Sequence, residues 1–373
     1  MIITLCFVNG FQKTVSNKVY HFWGHARLQA YENNKAIVAT ESAIEQNTAI
    51  ESLLQKNNVI EASYRFANSS AILEKNKEIE GVLLKGIGAE YDSSRMKAFI
   101  KKGRWIHFNT NDYSKEIIIS EQTANLLILK PGDSLQIHTL EKDSSRLNRR
   151  KVYVAGIYKT GIVEFDKLFA IGDIKLVQKL VNWEYNQIGG YEIFFKENAN
   201  HEKIIAAIND ELPLIWGCQP IENIYPNIFD WLNIQNMNRN VVFIIMGIVA
   251  VINLITCLLI LVLERTKMVG LLKAIGSTNW QIQKIFLIQA AWIALKGIGL
   301  GLLIGLGICL LQLQFGFIQL DEANYYVSTA PVEIVGWQIA LVCLVAAKTC
   351  FFAMLLPSFF VRNIDPVKSL QFR

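Results

Sequence analysis

The sequence is short of charge and shows no arrangement of cysteine or histidine that suggests a metal. Charged residues make up 18% of the 373 residues, whereas soluble proteins contain about 25%. Hydrophobic residues make up 52%, and the mean hydropathy is +0.27. This composition excludes an intrinsically disordered chain, a collagen-like fibre and a small disulfide scaffold. It also argues against a purely soluble enzyme.

Motifs for catalysis and metal binding are missing as well. The six cysteines form no CxxC pair, and the phosphate loop GxxxxGK(S/T) and the signatures HExxH and GxSxG are absent. We therefore predict no catalytic residue, no cofactor and no metal ion. His21 and His25 stand four residues apart without a third ligand nearby, which favours a solvated helix face. The net charge of +5 includes no dense basic block, which argues against a nucleic acid partner.

Long apolar stretches account for the missing charge. Residues 241–263 carry no charge, and residues 285–311 and 334–360 carry one lysine each, Lys296 and Lys348. Each stretch exceeds the 20 or so residues that a transmembrane helix needs. Residues 1–10 are apolar but too short to span. We interpret them as the outer end of a first, truncated transmembrane helix, with a short interfacial anchor as the alternative.

Two features inside these stretches suggest function. Gly297, Gly301 and Gly305 repeat at four-residue spacing, which favours close packing against another membrane helix. Lys296 and Lys348 are intramembrane charges, and such charges are functional candidates because burying them is costly. Neither has an acidic neighbour within its stretch. A transport role, snorkelling to the interface and a wet cavity between helices all stay open for them.

Positive charge fixes the predicted orientation. The loop 264–284 and the C-terminal tail carry lysine and arginine, whereas residues 312–333 carry none. The loop and tail are therefore expected in the cytoplasm, with four transmembrane helices and one large domain outside. The predicted divisions are the first helix and its extension (1–23), the extracytoplasmic α+β domain (24–236), the second helix (237–263), the cytoplasmic coupling loop (264–284), the third helix (285–311), a short outer loop (312–333), the fourth helix (334–360) and the tail (361–373).

The large outer region reads as a mixture of helices and strands. Alternating and β-rich runs predict strands, and 3–4 spacing of apolar residues predicts helices. A solvated hairpin tip is expected at 142–150. The predicted strands are 70–73, 81–87, 116–120, 134–138, 151–157 and 191–195, and the predicted helices are 41–55, 122–127, 174–181 and 201–212.

The loop after the second span has a distinctive pattern. It is amphipathic, ends its first helical part at Gly276, and offers Ser277 and Thr278 as caps for the next helix. The apolar residues of its first part repeat at 3–4 spacing, so one apolar face is expected there. Such a face on a cytoplasmic turn requires a partner protein. The residues predicted to form this face are Met268, Leu271, Leu272 and Ile275.

The loop sequence from Glu264 to Ser277, ERTKMVGLLKAIGS, resembles the coupling signature of FtsX-like ABC transporter permeases. The tail motif IDPVKSL at 364–370 is similar to the terminal motif of that superfamily. Three further stretches, 8–12, 227–232 and 326–333, resemble the lipoprotein-releasing branch in particular. Met268 stands where the family has an acidic residue, which puts in doubt a salt bridge at that position.

The resemblance implies an α-helical membrane protein with four transmembrane helices, the first truncated here, and a large α+β MacB-like periplasmic core. It implies a non-catalytic subunit in the bacterial inner membrane, with ATP hydrolysis in a separate cytoplasmic subunit. The implied partners are that ATP-binding subunit, a second permease copy or paralogue, a lipoprotein cargo, a periplasmic lipoprotein carrier and membrane lipids. The residues implied in coupling to the ATPase are Glu264, Arg265, Lys267, Met268, Gly270, Leu271, Leu272, Lys273, Ala274, Ile275 and Gly276.

Three other functions compete with lipoprotein extraction. A drug or peptide exporter and a cell-division regulator of a wall hydrolase would belong to the same superfamily. A membrane-anchored receptor or enzyme would belong to a different class. An anchored enzyme has no need of an amphipathic coupling loop, so the loop argues against that last alternative.

Overall fold

The computed structural model describes residues 1–31, 42–110, 112–140, 147–196 and 200–360. These residues form two compact units. One consists of the described parts of Met1–Thr14, Asp230–Gln319 and Thr329–Arg373. The other consists of the described parts of Val15–Phe229 and Leu320–Ser328. The tail motif at 364–370 and most of the predicted hairpin tip at 142–150 lie outside the described residues.

A mixed ten-stranded sheet organises the second unit, within the part of the chain that is described. Its strand order is β12-β1-β11-β3-β4-β9-β6-β8-β5, with β7 paired to β3 and β8. The pairs β4–β9 and β6–β8 are parallel and the others antiparallel. Its strands are β1 Ala26–Ala30, β3 Ile60–Lys75, β4 Glu78–Ile87, β5 Ile100–Gly103, β6 Glu116–Ser120, β7 Ser134–Leu140, β8 Leu147–Tyr158, β9 Phe169–Asp173, β11 Gly190–Phe195 and β12 Trp216–Pro220, and β2 Ile44–Glu45 pairs separately with β10 Gln187–Ile188.

The helices of this unit begin where the sequence supplies a cap. Ser120 accepts a hydrogen bond from the backbone N–H of Thr123, and Asp173 accepts one from Lys175, so each closes a strand and starts a helix. β6 has the sequence Glu-Ile-Ile-Ile-Ser, and its three isoleucines are fully buried. A strand covered on both faces is expected to have such a continuous apolar run. The helices are α2 Thr48–Lys56, α3 Ser94–Lys97, α4 Glu121–Leu126, α5 Val163–Leu168, α6 Ile174–Leu180, α7 His201–Glu211 and α8 Ile221–Ile224, with α12 Glu322–Tyr325 added from the far part of the chain.

The other unit is built from long apolar helices. These are α9 Pro226–Glu264, α11 Asn279–Phe315 and α13 Gly336–Phe360, with the short α10 Thr266–Ala274 and the start of α1 Ile2–Trp23. Most of their apolar side chains are exposed, as expected for surfaces that face lipid. Among the described residues, α9 and α11 are long and apolar enough to cross a bilayer. The count of four transmembrane helices stays a prediction.

Most of the predicted secondary structure is confirmed. Each of the six predicted strands lies within an observed strand, and the predicted helices at 122–127, 174–181 and 201–212 match α4, α6 and α7 within one residue at each end. The helix predicted at 41–55 is wrong in its first half. Residues 44–45 form β2 instead, and Asn47 caps a helix that starts at Thr48. The Asn47 side chain accepts from two backbone N–H groups, which fixes that start.

Candidate functional site

The loop between α9 and α11 is a short helix with a defined beginning and end. α9 ends at Glu264, Arg265 leaves the helical conformation, and α10 runs from Thr266 to Ala274. Gly276 then takes φ +93°, a left-handed conformation that suits glycine and stops the helix. An added Cβ would meet nothing within 4 Å there, so it is the backbone conformation that favours glycine.

The next helix is locked at its first turn. The Thr278 side chain accepts from the backbone N–H of Gln281 at 3.4 Å, and the backbone N–H of Thr278 donates to the Gln281 side chain at 2.9 Å. This reciprocal pair is a capping box, which satisfies two backbone donors that would otherwise lack partners. The loop therefore joins two helices through fixed geometry.

One face of α10 is packed internally. Val269 is fully buried and forms a small apolar cluster with Val262 of α9 and with Ile282 and Phe286 of α11. Leu272 is partly buried against the same cluster. This packing holds α10 between the ends of the two long helices.

The opposite face of α10 is apolar and exposed. Met268, Leu271 and Ile275 repeat at 3–4 spacing and expose 38%, 54% and 75% of their surface. We call these three residues the coupling face. The prediction that Leu272 shares this face is wrong, because it packs inward on the Val269 cluster. Sequence spacing alone missed Trp280, which is 65% exposed in the first turn of α11.

The remaining loop residues fall into two groups. Glu264, Arg265 and Lys267 are exposed, as are Ala274 and Gly276, whereas Lys273 is half-buried and Gly270 is buried. The three exposed charges lie at the N-terminal end of the short helix. The loop thus presents an apolar strip bordered by charged and polar positions, which is how protein–protein interfaces are commonly arranged.

The stretches that resemble the lipoprotein-releasing branch come into contact in the structure. Gly10 of α1 meets the backbone of Pro331 so closely that an added Cβ would collide with it. Lys13 forms an ion pair with Glu333 at 2.5 Å. The aromatic ring of Phe11 packs edge-on against Trp231, with the ring centres 6.2 Å apart. α1 is therefore the element on which the separate sequence motifs meet.

The glycine series of α11 is only partly in contact. A Cβ at Gly305 would lie 3.4 Å from Ile2 of α1, whereas Cβ atoms at Gly297 and Gly301 would meet nothing within 4 Å. No other part of the described chain covers Gly297 or Gly301. That leaves room for another helix to approach them.

The two lysines that the sequence predicts to lie in the membrane form no ion pair with a carboxylate among the described residues. Lys296 and Lys348 are both exposed on their helices. Within the described ranges, neither makes a salt bridge or a side-chain hydrogen bond that would neutralise it. Long lysine side chains near lipid can extend toward the interface, so exposure is compatible with snorkelling.

A buried charge cluster, which no pattern in the sequence indicates, lies in the α+β unit. Lys85 of β4 forms a salt bridge with Glu192 of β11 at 2.8 Å and donates to the backbone carbonyl of Phe22 in the last turn of α1. The Arg27 guanidinium lies 3.9 Å from both Glu192 and the Trp23 ring centre. Burial raises the pKa of Glu192, with both cations opposing the rise. The cluster ties the end of α1 to the sheet.

The histidine expectation is wrong in its geometry. α1 ends at Trp23 and Gly24 takes φ +75°, so His25 does not continue the helix face of His21. His25 stacks on Tyr20 with ring centres 4.3 Å apart and accepts the backbone N–H of Phe195 at 3.1 Å. Burial lowers its pKa to about 3. Among the described residues, no group of three His, Cys, Asp or Glu is placed to hold a metal.

Comparison with known proteins locates the coupling loop in a family. Residues 240–366 match the family described as FtsX-like permease C-terminal. The chain carries an FtsX-like permease domain. This domain includes all of the loop described above, together with α11 and α13. The resemblance found in the loop sequence is confirmed.

Curated relatives extend this similarity beyond the FtsX-like domain. The chain is 22% identical to the lipoprotein-releasing system transmembrane protein LolE of Haemophilus influenzae, over 100% of this chain and 90% of that protein. It is 21% identical to LolC of Neisseria meningitidis with the same coverage. Both relatives are described as transmembrane proteins of a lipoprotein-releasing system.

Among solved structures, the periplasmic region of MacB from Actinobacillus actinomycetemcomitans is similar to part of the chain. The match has 14% sequence identity and a TM-score of 0.38, and it covers 55% of this chain and 92% of that one.

Proposed function

We propose that this chain is the permease subunit of an ATP-driven complex that extracts lipoproteins from the inner membrane. The complex would pass them to a periplasmic carrier for sorting to the outer membrane. The observation that carries the proposal is the coupling face, an exposed apolar strip on a short helix fixed between two long apolar helices. The end-to-end similarity to proteins named LolE and LolC supports the choice of lipoprotein as cargo.

In this proposal α1, α9, α11 and α13 are the four transmembrane helices. The loop around α10 and the tail 361–373 lie in the cytoplasm, and the α+β region 24–236 lies in the periplasm. The outer ends of the helices continue past the apolar stretches, because α9 begins at Pro226 and α11 continues to Phe315. The exposed apolar side chains of α9 and α11 support this arrangement, since lipid would cover them.

The short helix α10 would sit in a groove of the ATP-binding subunit. Met268, Leu271 and Ile275 would be buried there, while Glu264, Arg265 and Lys267 would form a polar rim. Methionine at 268 replaces a salt bridge by apolar contact at that point. Because Val269 anchors α10 to both α9 and α11, movement of the groove would shift the two long helices together.

A second permease copy or a paralogue would complete the membrane part. An added Cβ at Gly297 or Gly301 would meet no atom of the described chain within 4 Å. A helix of the partner could therefore approach the α11 backbone closely there. Lipoprotein extraction requires work, because each acyl CH₂ group leaving lipid costs about 0.8 kcal/mol. The ATP-binding subunit would supply that work, and this chain would transmit it.

Depletion of the chain in its own host tests the cargo. Outer-membrane lipoproteins are expected to accumulate in the inner membrane when the chain is depleted, and expression of the unaltered chain should restore sorting. Leu271→Asp should fail to restore it, whereas the volume-conserving Leu271→Met should succeed. Normal lipoprotein sorting after depletion would contradict the proposal and favour an exporter of the same superfamily.

A further inference from the structure

Residues 320–328 lie between two long apolar helices in the sequence, yet they pack as part of the α+β unit. These residues form a loop whose two ends are joined by a hydrogen bond. Asp321 caps the short helix α12 by accepting from the backbone N–H of Ala323 at 3.2 Å. The backbone N–H of Leu320 donates to the Ser328 carbonyl at 2.9 Å, which ties the two ends of the loop together. The loop therefore has a fixed shape of its own.

Two lysines bind this loop to the rest of the unit. Lys159 Nζ lies 2.6 Å from a carboxylate oxygen of Glu322. Lys18 Nζ, on α1, donates to the backbone carbonyls of Thr160 at 2.6 Å and of Tyr326 at 2.7 Å. Lys18 thus joins the loop and the segment after β8 through one ammonium group. Burial lowers the pKa of Lys18, while Glu322 and Asp166 oppose that shift.

A third contact uses the end of α12. Tyr326 adopts φ +60°, and its hydroxyl donates to a carboxylate oxygen of Glu164 at 3.2 Å. Burial raises the pKa of this hydroxyl to about 12, and the Glu164 charge adds to the effect. We call the five side chains of these three contacts the loop clasp: Lys18, Lys159, Glu164, Glu322 and Tyr326.

The segment that receives the loop is also held by contacts of its own. The buried carboxylate of Asp166 accepts the backbone N–H groups of Thr160 and Gly161, each at 2.9 Å, and the Thr160 hydroxyl at 2.8 Å. Gly161 has φ +78°, and an added Cβ would collide with the Glu322 carboxylate. Both the conformation and the close approach therefore suit glycine.

This receiving segment, residues 159–166, connects two interior strands of the ten-stranded sheet. β8 precedes it and pairs with β5, β6 and β7, and β9 begins soon after it and pairs with β4 and β6. Displacement of the segment would therefore shift the end of β8 and the beginning of β9. The loop clasp is therefore placed to act on the sheet directly.

We propose that the loop clasp is a force-transmitting contact of the permease. It would pass movement of the connection between α11 and α13 to the periplasmic sheet, in addition to the covalent connections through α1 and α9. The inference rests on the proposed ATP-driven function for the source of the movement. It does not depend on which cargo is moved.

Charge reversal with a swap tests the contact. Lys159→Glu places a third carboxylate beside Glu322 and Glu121, which lies 3.9 Å from the Lys159 ammonium. The double variant Lys159→Glu with Glu322→Lys restores the opposite charges in reversed order. Arg104→Glu is the matched control, since it breaks an exposed ion pair of 2.5 Å with Glu116 at a position outside the loop clasp. Glu322→Gln removes the charge without repulsion, as a second variant that retains the fold.

The measurement is hydrogen exchange of residues 159–166 in the full chain with its ATP-binding subunit in nanodiscs, with and without vanadate-trapped ATP. We expect a nucleotide-dependent change in the unaltered chain and in Arg104→Glu. It should fall about fivefold in Lys159→Glu, fall by a smaller factor in Glu322→Gln, and return in the swap. ATP hydrolysis should change by less than about twofold, because the ATP-binding subunit is untouched.

An unchanged exchange response in Lys159→Glu and Glu322→Gln would overturn the inference, and so would a swap that fails to restore it. Absence of any nucleotide-dependent change in the unaltered chain would overturn it too. If the exchange pattern is as expected but the complex releases no lipoprotein, then the cargo in the proposed function is wrong and the transmission role of the loop clasp is supported.

Discussion

The two short helices that link the long apolar ones, α10 and α12, are fixed by different chemistry. α10 is held by apolar packing of Val269 against both neighbouring helices, and its other face leaves three apolar side chains exposed. α12 is held by ion pairs and hydrogen bonds, and its loop joins the α+β unit. The α12 loop is thus held by contacts within its own unit. The exposed apolar surface of α10 fits the proposed docking of a partner protein.

The largest effect is expected where the apolar anchor is broken. Val269→Asp places a carboxylate among the apolar side chains of Val262, Ile282 and Phe286. A loss of about 3 kcal/mol in the free energy of unfolding is expected. The apparent melting temperature and the monodisperse yield in detergent measure it. Val269→Ile should retain both, and a stable Val269→Asp protein would show that packing does not hold α10.

Next in size is the effect at the coupling face. Leu271→Asp should weaken binding of the ATP-binding subunit about tenfold or more, since buried apolar anchors of an interface contribute 1–3 kcal/mol or so. The melting temperature should stay unchanged, because Leu271 is 54% exposed. Affinity measured with the purified subunits tests this. Leu272→Asp sharpens the comparison, because this neighbour should lose stability as well; equal behaviour of the two leucines would reject the two-face description.

A smaller loss is expected at the loop clasp. Lys18→Met removes a donor to two backbone carbonyls while keeping the length of the side chain. The cost in unfolding free energy should be about 1.5–2 kcal/mol, at the lower end of what hydrogen bonds of charged groups contribute. Thermal unfolding of the full chain in detergent is the measurement. The same substitution at Lys13, which is an exposed partner of Glu333, should cost less, and an equal cost would remove the distinction.

The smallest expected effect is that of salt concentration on hydrogen exchange, which should differ between the α12 loop and α10. The Lys159 and Glu322 side chains are about one-third exposed, so raising the salt from 0.1 M to 1 M should screen their pair. Hydrogen exchange of residues 320–328 is expected to increase by about twofold or less. Exchange of residues 266–274 should not increase, because apolar packing is not weakened by salt. An increase in both loops, or in neither, would contradict the proposed difference in chemistry.

The sequence predicted elements whose signals are local. The run at 116–120 carries its own hydrophobic pattern and follows the strand in the structure residue for residue. The apolar stretches 241–263 and 285–311 likewise lie inside helices α9 and α11, and α13 covers the stretch 334–360 apart from its first two residues. The helix ends were missed, because α9 continues back to Pro226 through polar residues that a search for apolar runs does not recognise. α9 keeps its helical backbone where its composition ceases to be apolar.

The site was predicted less completely than the fold, for two physical reasons. Spacing gave the coupling face, but it could not show that Leu272 would turn toward Val269, because that depends on how α9 and α11 meet. The loop clasp joins Lys18 and Lys159 to residues more than 150 positions later in the chain. Contacts of that separation leave no periodic pattern in a single sequence. The same holds for Lys85 and Glu192, which look like ordinary strand charges until the sheet brings them together.

In the proposed arrangement, the length of α11 determines how far its cytoplasmic end projects beyond the bilayer. Its 37 residues rise about 55 Å, against a hydrocarbon layer of about 30 Å. The six residues 279–284 that precede the apolar stretch account for about 9 Å of the excess. In that arrangement the capped turn at Thr278 would stand clear of the acyl region, among or beyond the lipid headgroups. A soluble subunit would then reach α10 from the aqueous side without displacing any lipid.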